Sequence, residues 1–164
     1  MTAKAMTNNQ RRIDMKKLFT YRPPRIALAL LVVTMGVWYF SPPDTLLYLP
    51  YKLMGSICII LGFGGLILAW LQFKRSDTAV SPTAETSGII KNGMYRYSRN
   101  PMYLGMLLIL LGASFIMGTL NSIVAPAVFF LIIDKIFIPF EEEKLLTSFG
   151  DSYNEYMMTT RRWL

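Results

Sequence analysis

The sequence predicts an all-α fold, a polytopic membrane helical bundle of about four transmembrane helices with an amphipathic C-terminal helix. Three observations predict it. The chain of 164 residues is 53% hydrophobic and 16% charged, too apolar for an ordinary soluble domain. The stretches 26–40, 53–73, 102–119 and 123–133 contain no Asp, Glu, Lys or Arg. The 17 Lys and Arg residues lie on the flanks of these stretches, and on alternate flanks at that.

The expected organisation is a flexible basic N-terminus over 1–25 and one membrane domain over 26–164, with spans at 26–40, 52–73, 101–119 and 121–139. A helix crosses the hydrocarbon core with roughly 17–25 residues. The second and third spans meet that length directly. The first is short, and takes its start from Leu18 to Arg25 or from a locally thin bilayer. It is not a cleaved signal, because Ser41-Pro42-Pro43-Asp44 follows it and three further apolar segments come after. Ser41 to Pro50 reads as an interfacial loop with aromatic anchors. Spans three and four are separated only by Gly118-Thr119-Leu120-Asn121, which implies a tight hairpin. The fourth span is expected to pass through Asp134 and Lys135 and to end at Pro139.

Orientation follows from the cations. Lys4, Arg11, Arg12, Lys16, Lys17, Arg22 and Arg25 precede the first span. Lys74, Arg75, Lys91, Arg96 and Arg99 lie in the loop 74–100, and Lys144, Arg161 and Arg162 in the tail 140–164, while the opposite side has Lys52 alone. Both termini and the central loop are expected in the cytoplasm, with the chain multi-pass in a cell membrane. The net charge of +7 is therefore a topology signal, and no nucleic-acid partner is expected. Cys58 is the single cysteine and histidine is absent, so neither an intrachain disulfide nor a histidine-based metal site or general base is available. No metal is expected.

Polar and aromatic residues crowd into Gly93-Met94-Tyr95-Arg96-Tyr97-Ser98-Arg99-Asn100-Pro101-Met102-Tyr103-Leu104-Gly105. Pro101 suits a first helical turn and Asn100 its cap, so the third span starts there with free N–H groups beside Arg96 and Arg99. A helix N-terminus flanked by arginines suits a carboxylate or another anion. Tyr95, Tyr97, Tyr103 and Asn100 add ring faces and hydrogen-bonding groups of the kind a nucleoside with a charged tail requires. Such residues at a membrane boundary also serve simply as anchors. Glu141-Glu142-Glu143 follows the fourth span. As a solvated helix start these acids carry no chemistry. The hairpin, however, brings them beside the Tyr/Arg/Asn cluster, where a carboxylate can hold ribose hydroxyls, an ammonium group or face a sulfonium. In the tail, Leu145, Leu146, Phe149, Tyr153 and Tyr156 recur at helical spacing, with a break at Gly150-Asp151. Gly62-Phe63-Gly64-Gly65 in the second span reads first as a close helix approach.

The order Gly93-x-Tyr95-Arg96-Tyr97-Ser98-Arg99-Asn100-Pro101-Met102-Tyr103-Leu104-Gly105, then Glu141-Glu142, then Phe149-Gly150-x-x-Tyr153-x-x-Tyr156, resembles the isoprenylcysteine carboxyl methyltransferase family and its bacterial and phospholipid-methyltransferase relatives. Thr78-x-Val80-x-Pro82 belongs to the same resemblance, which covers about half the chain. It implies a membrane enzyme that binds S-adenosylmethionine in a cytoplasmic-side pocket roofed by the tail. The acceptor, a lipophilic small molecule or lipid, would enter from the membrane, and no protein partner is required. Arg99, Asn100, Pro101, Tyr103 and Gly105 match the family's Arg-His-Pro-x-Tyr-x-Gly motif, with Asn100 where the eukaryotic enzymes carry His. Glu141 and Glu142 match its acidic pair, and Tyr95 joins these as a cofactor-site residue. Catalytic or acceptor-orienting roles are expected of Arg99, Glu142, Arg161 and Arg162, with Arg96 as a further orienting residue. The competing class is a small membrane transporter or accessory subunit, for which Asp134 and Lys135 are the intramembrane charges.

Overall fold

The computed structural model describes residues 23–40, 49–75 and 88–164. The expectations for residues 1–22, for residues 41–48 of the interfacial loop Ser41 to Pro50, and for Thr78-x-Val80-x-Pro82 lie outside the described residues. Among the described residues the chain is helical and contains no strand.

Helix α1 runs over Pro23–Phe40. It begins at a Pro-Pro pair, whose missing N–H groups cost nothing in a first turn. Starting there rather than at residue 26 gives the first span 18 residues, a length of about 27 Å. Helix α2, Leu49–Arg75, has 27 residues and ends in Lys74 and Arg75, with the Lys74 ammonium over the Trp70 ring. Helix α3, Pro101–Met117, has 17 residues. Among the described residues three stretches are long and apolar enough to cross a membrane, Pro23–Phe40, Pro50–Arg75 and Leu120–Phe149, with α3 as a shorter apolar helix. At about 26 Å, α3 falls at the lower limit of a span.

Helix α3 is the central element. Its contact with α2 is the most extensive among the described elements, and it also packs on α1 and on the helix that follows it. The α2 contact is built from glycines seven residues apart on each helix. A Cβ added at Gly55 would sit 2.6 Å from the Gly112 carbonyl oxygen, and one at Gly62 would sit 2.7 Å from that of Gly105. The two backbones therefore touch directly at two levels, one turn-pair apart. On its other side α3 contributes Tyr103, Met106 and Leu110 to a core with Phe129, Ile133, Phe137 and Ile138, against which Ile26, Ala27, Leu30 and Leu31 of α1 pack. The outward residues of α2, such as Ile57, Ile60, Leu61 and Leu68, remain exposed and apolar, as a lipid-facing surface requires.

The hairpin after α3 is as tight as its sequence implies. Gly118 takes the left-handed conformation, φ 68°, and its N–H bonds to the Ser114 carbonyl. Ser114 Oγ donates to the Ser122 carbonyl at 2.7 Å and Ser122 Oγ donates back to the Ser114 carbonyl at 3.0 Å, so the buried turn leaves these groups satisfied.

The next segment corrects one expectation. Pro139 does not end the helix. A 3₁₀ turn (Leu120–Ile123), α4 (Val124–Ile132), a π-helical turn (Ile133–Phe137) and α5 (Ile138–Phe149) follow without a break. Pro139 falls at the start of α5, and the wide turn precedes it: the Ile138 N–H bonds to the carbonyl of Ile133, five residues back. A π turn inserts one residue into the ladder, and the proline's missing donor is absorbed there. The stretch Leu120–Phe149 is then about 45 Å long, well beyond a 30 Å hydrocarbon core, so its charged end projects from the bundle. It stops at Gly150, φ 49°, and α6 (Asp151–Thr159) turns back over the bundle end with Tyr153 and Tyr156 buried.

Candidate functional site

One end of the bundle gathers the end of α2, the segment before α3, the start of α3, the first two turns of α5 and all of α6. Asn92 is extended and Gly93 adopts φ 58°, after which Gly93–Arg96 forms a 3₁₀ turn that buries Tyr95. The Tyr95 ring lies 6.3 Å from that of Phe73, the last aromatic of α2, and its carbonyl accepts the Tyr156 hydroxyl at 2.5 Å.

Asn100 precedes α3 as expected, but its side chain does not cap the helix; it donates to the Arg162 carbonyl at 3.0 Å. The C-terminal segment competes for that side chain. It also accepts the Arg99 N–H on the Arg161 carbonyl at 2.9 Å and the Ser98 hydroxyl on that of Arg162 at 3.4 Å. Residues 161–163 are thereby strapped across the start of α3. Trp163 completes the attachment, with its indole N–H 3.0 Å from Asp134 Oδ1 and its ring 5.1 Å from Phe130.

The acids of α5 meet this segment. Tyr103 donates its hydroxyl to Glu141 Oε1 at 2.6 Å. Glu142 sits between two guanidiniums: Arg99 Nη2 at 3.2 Å on one side, and Arg162 with Nη2 at 2.7 Å and Nε at 3.3 Å on the other. Arg162 continues to Asp134 at 3.5 Å, and Asp134 also pairs with Lys135 at 3.0 Å. The Arg99 and Glu142 side chains are only 11% and 13% exposed, so this pair works in a poorly solvated setting. Arg99 keeps two buried donors, Nε and Nη1, without a hydrogen-bond partner.

A cavity of about 460 Å³ opens among these groups, within the range of small-molecule sites. Its polar lining comprises Tyr95, Arg99, Asn100, Tyr103, Glu141, Glu142, Lys144, Tyr153 and Tyr156. Pro23, Phe73, Ile89, Ile90, Met106 and Leu145 are among its apolar walls. Burial pushes the Tyr153 hydroxyl up to about 12, with the Glu142 charge acting in the same direction. Burial likewise raises Tyr95 and Tyr156, so all three phenols are neutral donors at physiological pH.

Of the residues singled out in the sequence, Tyr95, Arg99, Asn100, Pro101, Tyr103, Glu141 and Glu142 all line this cavity. Others do not. Gly105 faces α2, where a Cβ would meet the Gly62 carbonyl at 2.8 Å. Arg162 is spent on Glu142 and Asp134, and Arg161 is exposed, with a guanidinium contact to the Leu164 carbonyl at 3.4 Å. Arg96, Tyr97 and Glu143 are exposed, away from the lining. Tyr153 and Tyr156 are cavity residues whose signal was their three-residue spacing on one face of α6. Asp134 and Lys135, the charges on which a transporter reading would rest, neutralise each other and the strap.

The pocket thus lies at one end of a bundle of helices apolar enough to cross a membrane. Residues 51–152 match the family model for phospholipid methyltransferase, more than half of the chain, and the chain belongs to that family. It is 40% identical over 63 residues to an uncharacterised protein of Haemophilus influenzae, covering 38% of this chain and all of that protein. It is also 35% identical over 71 residues, 42% of this chain, to the protein-S-isoprenylcysteine O-methyltransferase of Schizosaccharomyces pombe, of which the match spans 29%. No solved structure matches it. The chain is thus a membrane protein of a methyltransferase family related to the isoprenylcysteine enzymes.

Proposed function

We propose that the chain binds S-adenosylmethionine in the 460 Å³ cavity and transfers its methyl group to a lipophilic acceptor at the cytoplasmic face of the membrane. The observation that carries this reading is the state of Arg99. A buried guanidinium with one edge paired to Glu142 and two further donors unpaired fits a carboxylate, such as the one on the amino-acid end of this cofactor. The neutral phenols of Tyr95 and Tyr153 fit hydroxyl and ring-nitrogen partners, Tyr156 being committed to the Tyr95 carbonyl, and the acids of α5 oppose a cationic centre. When bound, the cofactor supplies a methyl group already activated by its sulfonium.

What remains for the protein is placement. The apolar walls from Pro23, Ile89, Ile90, Met106 and Leu145 suit a lipid chain and exclude water from the reacting groups. Well-oriented intramolecular reactions reach effective molarities of about 10⁵–10⁸ M, so holding the acceptor in line accounts for most of the required acceleration. A carboxylate or thiolate acceptor needs no base. A protonated amine does, and Glu141, already hydrogen-bonded to Tyr103, is the carboxylate best placed to take its proton. The family's name and that of the yeast relative point to phospholipid amines or prenylcysteine carboxylates as acceptors. The cation count, with Lys52 alone between the first two spans, supports a cytoplasmic site and cytoplasmic termini in a bacterial inner membrane.

Calorimetry on the detergent-solubilised chain should show one-site heat on adding S-adenosylmethionine, and label from its methyl group should appear in a membrane lipid extract. The absence of both heat and label would sink the reading. Tyr103→Phe keeps the ring and removes the hydroxyl from Glu141. A hydrogen bond to a charged group contributes about 1.5–3 kcal/mol to stability, so this variant should fold but melt below wild type, and should bind the cofactor more weakly because Glu141 loses the hydroxyl that orients it.

A further inference from the structure

Gln72 lies outside the cavity lining, yet its side chain is built into the wall. The residue sits in the last turn of α2, next to Phe73, which does line the cavity. Its amide Nε2 donates to the Asn92 carbonyl at 2.8 Å, and its Oε1 accepts the Met94 N–H at 3.0 Å. One side chain thus engages both strands of backbone flanking Gly93, in the manner of a peptide unit. The conformation of Gly93 is adapted to it: φ is 58°, and a Cβ there would collide with the Gln72 amide nitrogen. Two residues on, Tyr95 presents its ring to the cavity beside Phe73, while its carbonyl accepts the Tyr156 hydroxyl. Lys91 adds a weaker tie to α6 through Ser152 at 3.3 Å.

We infer that Gln72 is a positioning residue for the cofactor site, clamping the Gly93–Arg96 turn to α2 so that the Tyr95 and Phe73 rings form one fixed wall of the cavity. This rests on the methyl-donor reading above. It adds a residue to which the motif pattern assigns nothing, and assigns Gly93 a reason for being glycine: the left-handed backbone and the space filled by the Gln72 amide. Gln72 acts through the turn and touches no reacting group.

The test uses the full chain in detergent or nanodiscs. Gln72→Ala should raise the S-adenosylmethionine Kd about tenfold and leave kcat at saturating cofactor within about twofold. Its thermal midpoint should stay close to wild type. Hydrogen exchange of residues 88–97 should rise in the variant while that of 101–117 stays as in wild type. Gly93→Ala should weaken binding in the same way, and the double variant should be less impaired than the sum of the two, because removing the Gln72 amide frees the space the new methyl needs. Unchanged exchange over 88–97 overturns the clamp. Faster exchange with an unchanged Kd, or faster exchange throughout the chain, overturns its action on the site. Wild type that fails to bind the cofactor removes the methyl-donor reading instead, and the exchange pattern then still decides whether the clamp exists.

Discussion

Glu142→Ala should abolish measurable S-adenosylmethionine binding and lower the thermal midpoint of the solubilised protein. The carboxylate is the shared partner of Arg99 and Arg162, and its removal leaves Arg99, 11% exposed, with a buried guanidinium that has lost its anion. Breaking a buried pair by deleting one partner costs about 3–5 kcal/mol. The lower end applies here, since the Arg162 side chain is 36% exposed and recovers water and Asp134. Glu142→Gln keeps the shape and one accepting oxygen, so it should fold more nearly as wild type and still bind at least tenfold more weakly. Calorimetry separates the two effects from unfolding when paired with a thermal melt. Binding by Glu142→Ala at the wild-type Kd would remove Glu142 from the site.

The second large effect is structural. Gly105→Val should separate α2 from α3 and leave little folded protein in detergent. A Cβ at this position already lies 2.8 Å from the Gly62 carbonyl oxygen and 3.1 Å from Leu66 Cβ, and the first of these is backbone that cannot rotate away. Overpacking a well-fitted contact costs about 1–3 kcal/mol, and two rigid helices in direct backbone contact place this substitution at the upper end or beyond. Gly64→Val provides the control, because a Cβ at Gly64 meets nothing within 4 Å. Circular dichroism and a melt should show the control unchanged and the Gly105 variant unfolded. Equal stability of the two would show that the glycine contact does not hold the helices.

Much of this was legible in the chain because it is governed by local rules. Charge-free apolar runs, the tight hairpin at Gly118-Thr119-Leu120-Asn121 and the break at Gly150-Asp151 each depend on a few adjacent residues. The meeting of Glu141 and Glu142 with Tyr103 and Arg99 was also accessible, since a tight hairpin places the start of one helix beside the end of the next. The glycine contact was readable as a small-residue pattern, though its partner on α3 was not; Gly105 carried a site expectation instead.

What escaped prediction depends on distant pairings. Asn100 has the identity of a helix cap, but a carbonyl 62 residues downstream takes its side chain. Arg162 reads as a free cation near the tail and is in fact divided between two acids. Gln72 has no motif around it, and its partners lie 20 and 22 residues away. Pro139 misled for another reason: proline ends an α-helix unless the preceding turn supplies an alternative bonding pattern, and nothing in Ile133-Asp134-Lys135-Ile136-Phe137 announces a π turn.

That wide turn also determines which acid faces the cavity. Consecutive residues on a helix point about 100° apart, so Glu141, Glu142 and Glu143 face three different directions, and Glu143 is the one left outside. Upstream, the phase of the helix is set by Phe129 and Ile133, both fully buried. The extra residue in the turn offsets everything beyond it by one position. Drawn as an unbroken α-helix, the same sequence would carry the acids round by one step, and the neighbour of Glu142 would meet Arg99. The alignment between an apolar core and a charged pocket is therefore a matter of counting: within 133–137, losing one residue returns the helix to a regular ladder with the acids still in phase, whereas gaining one does not.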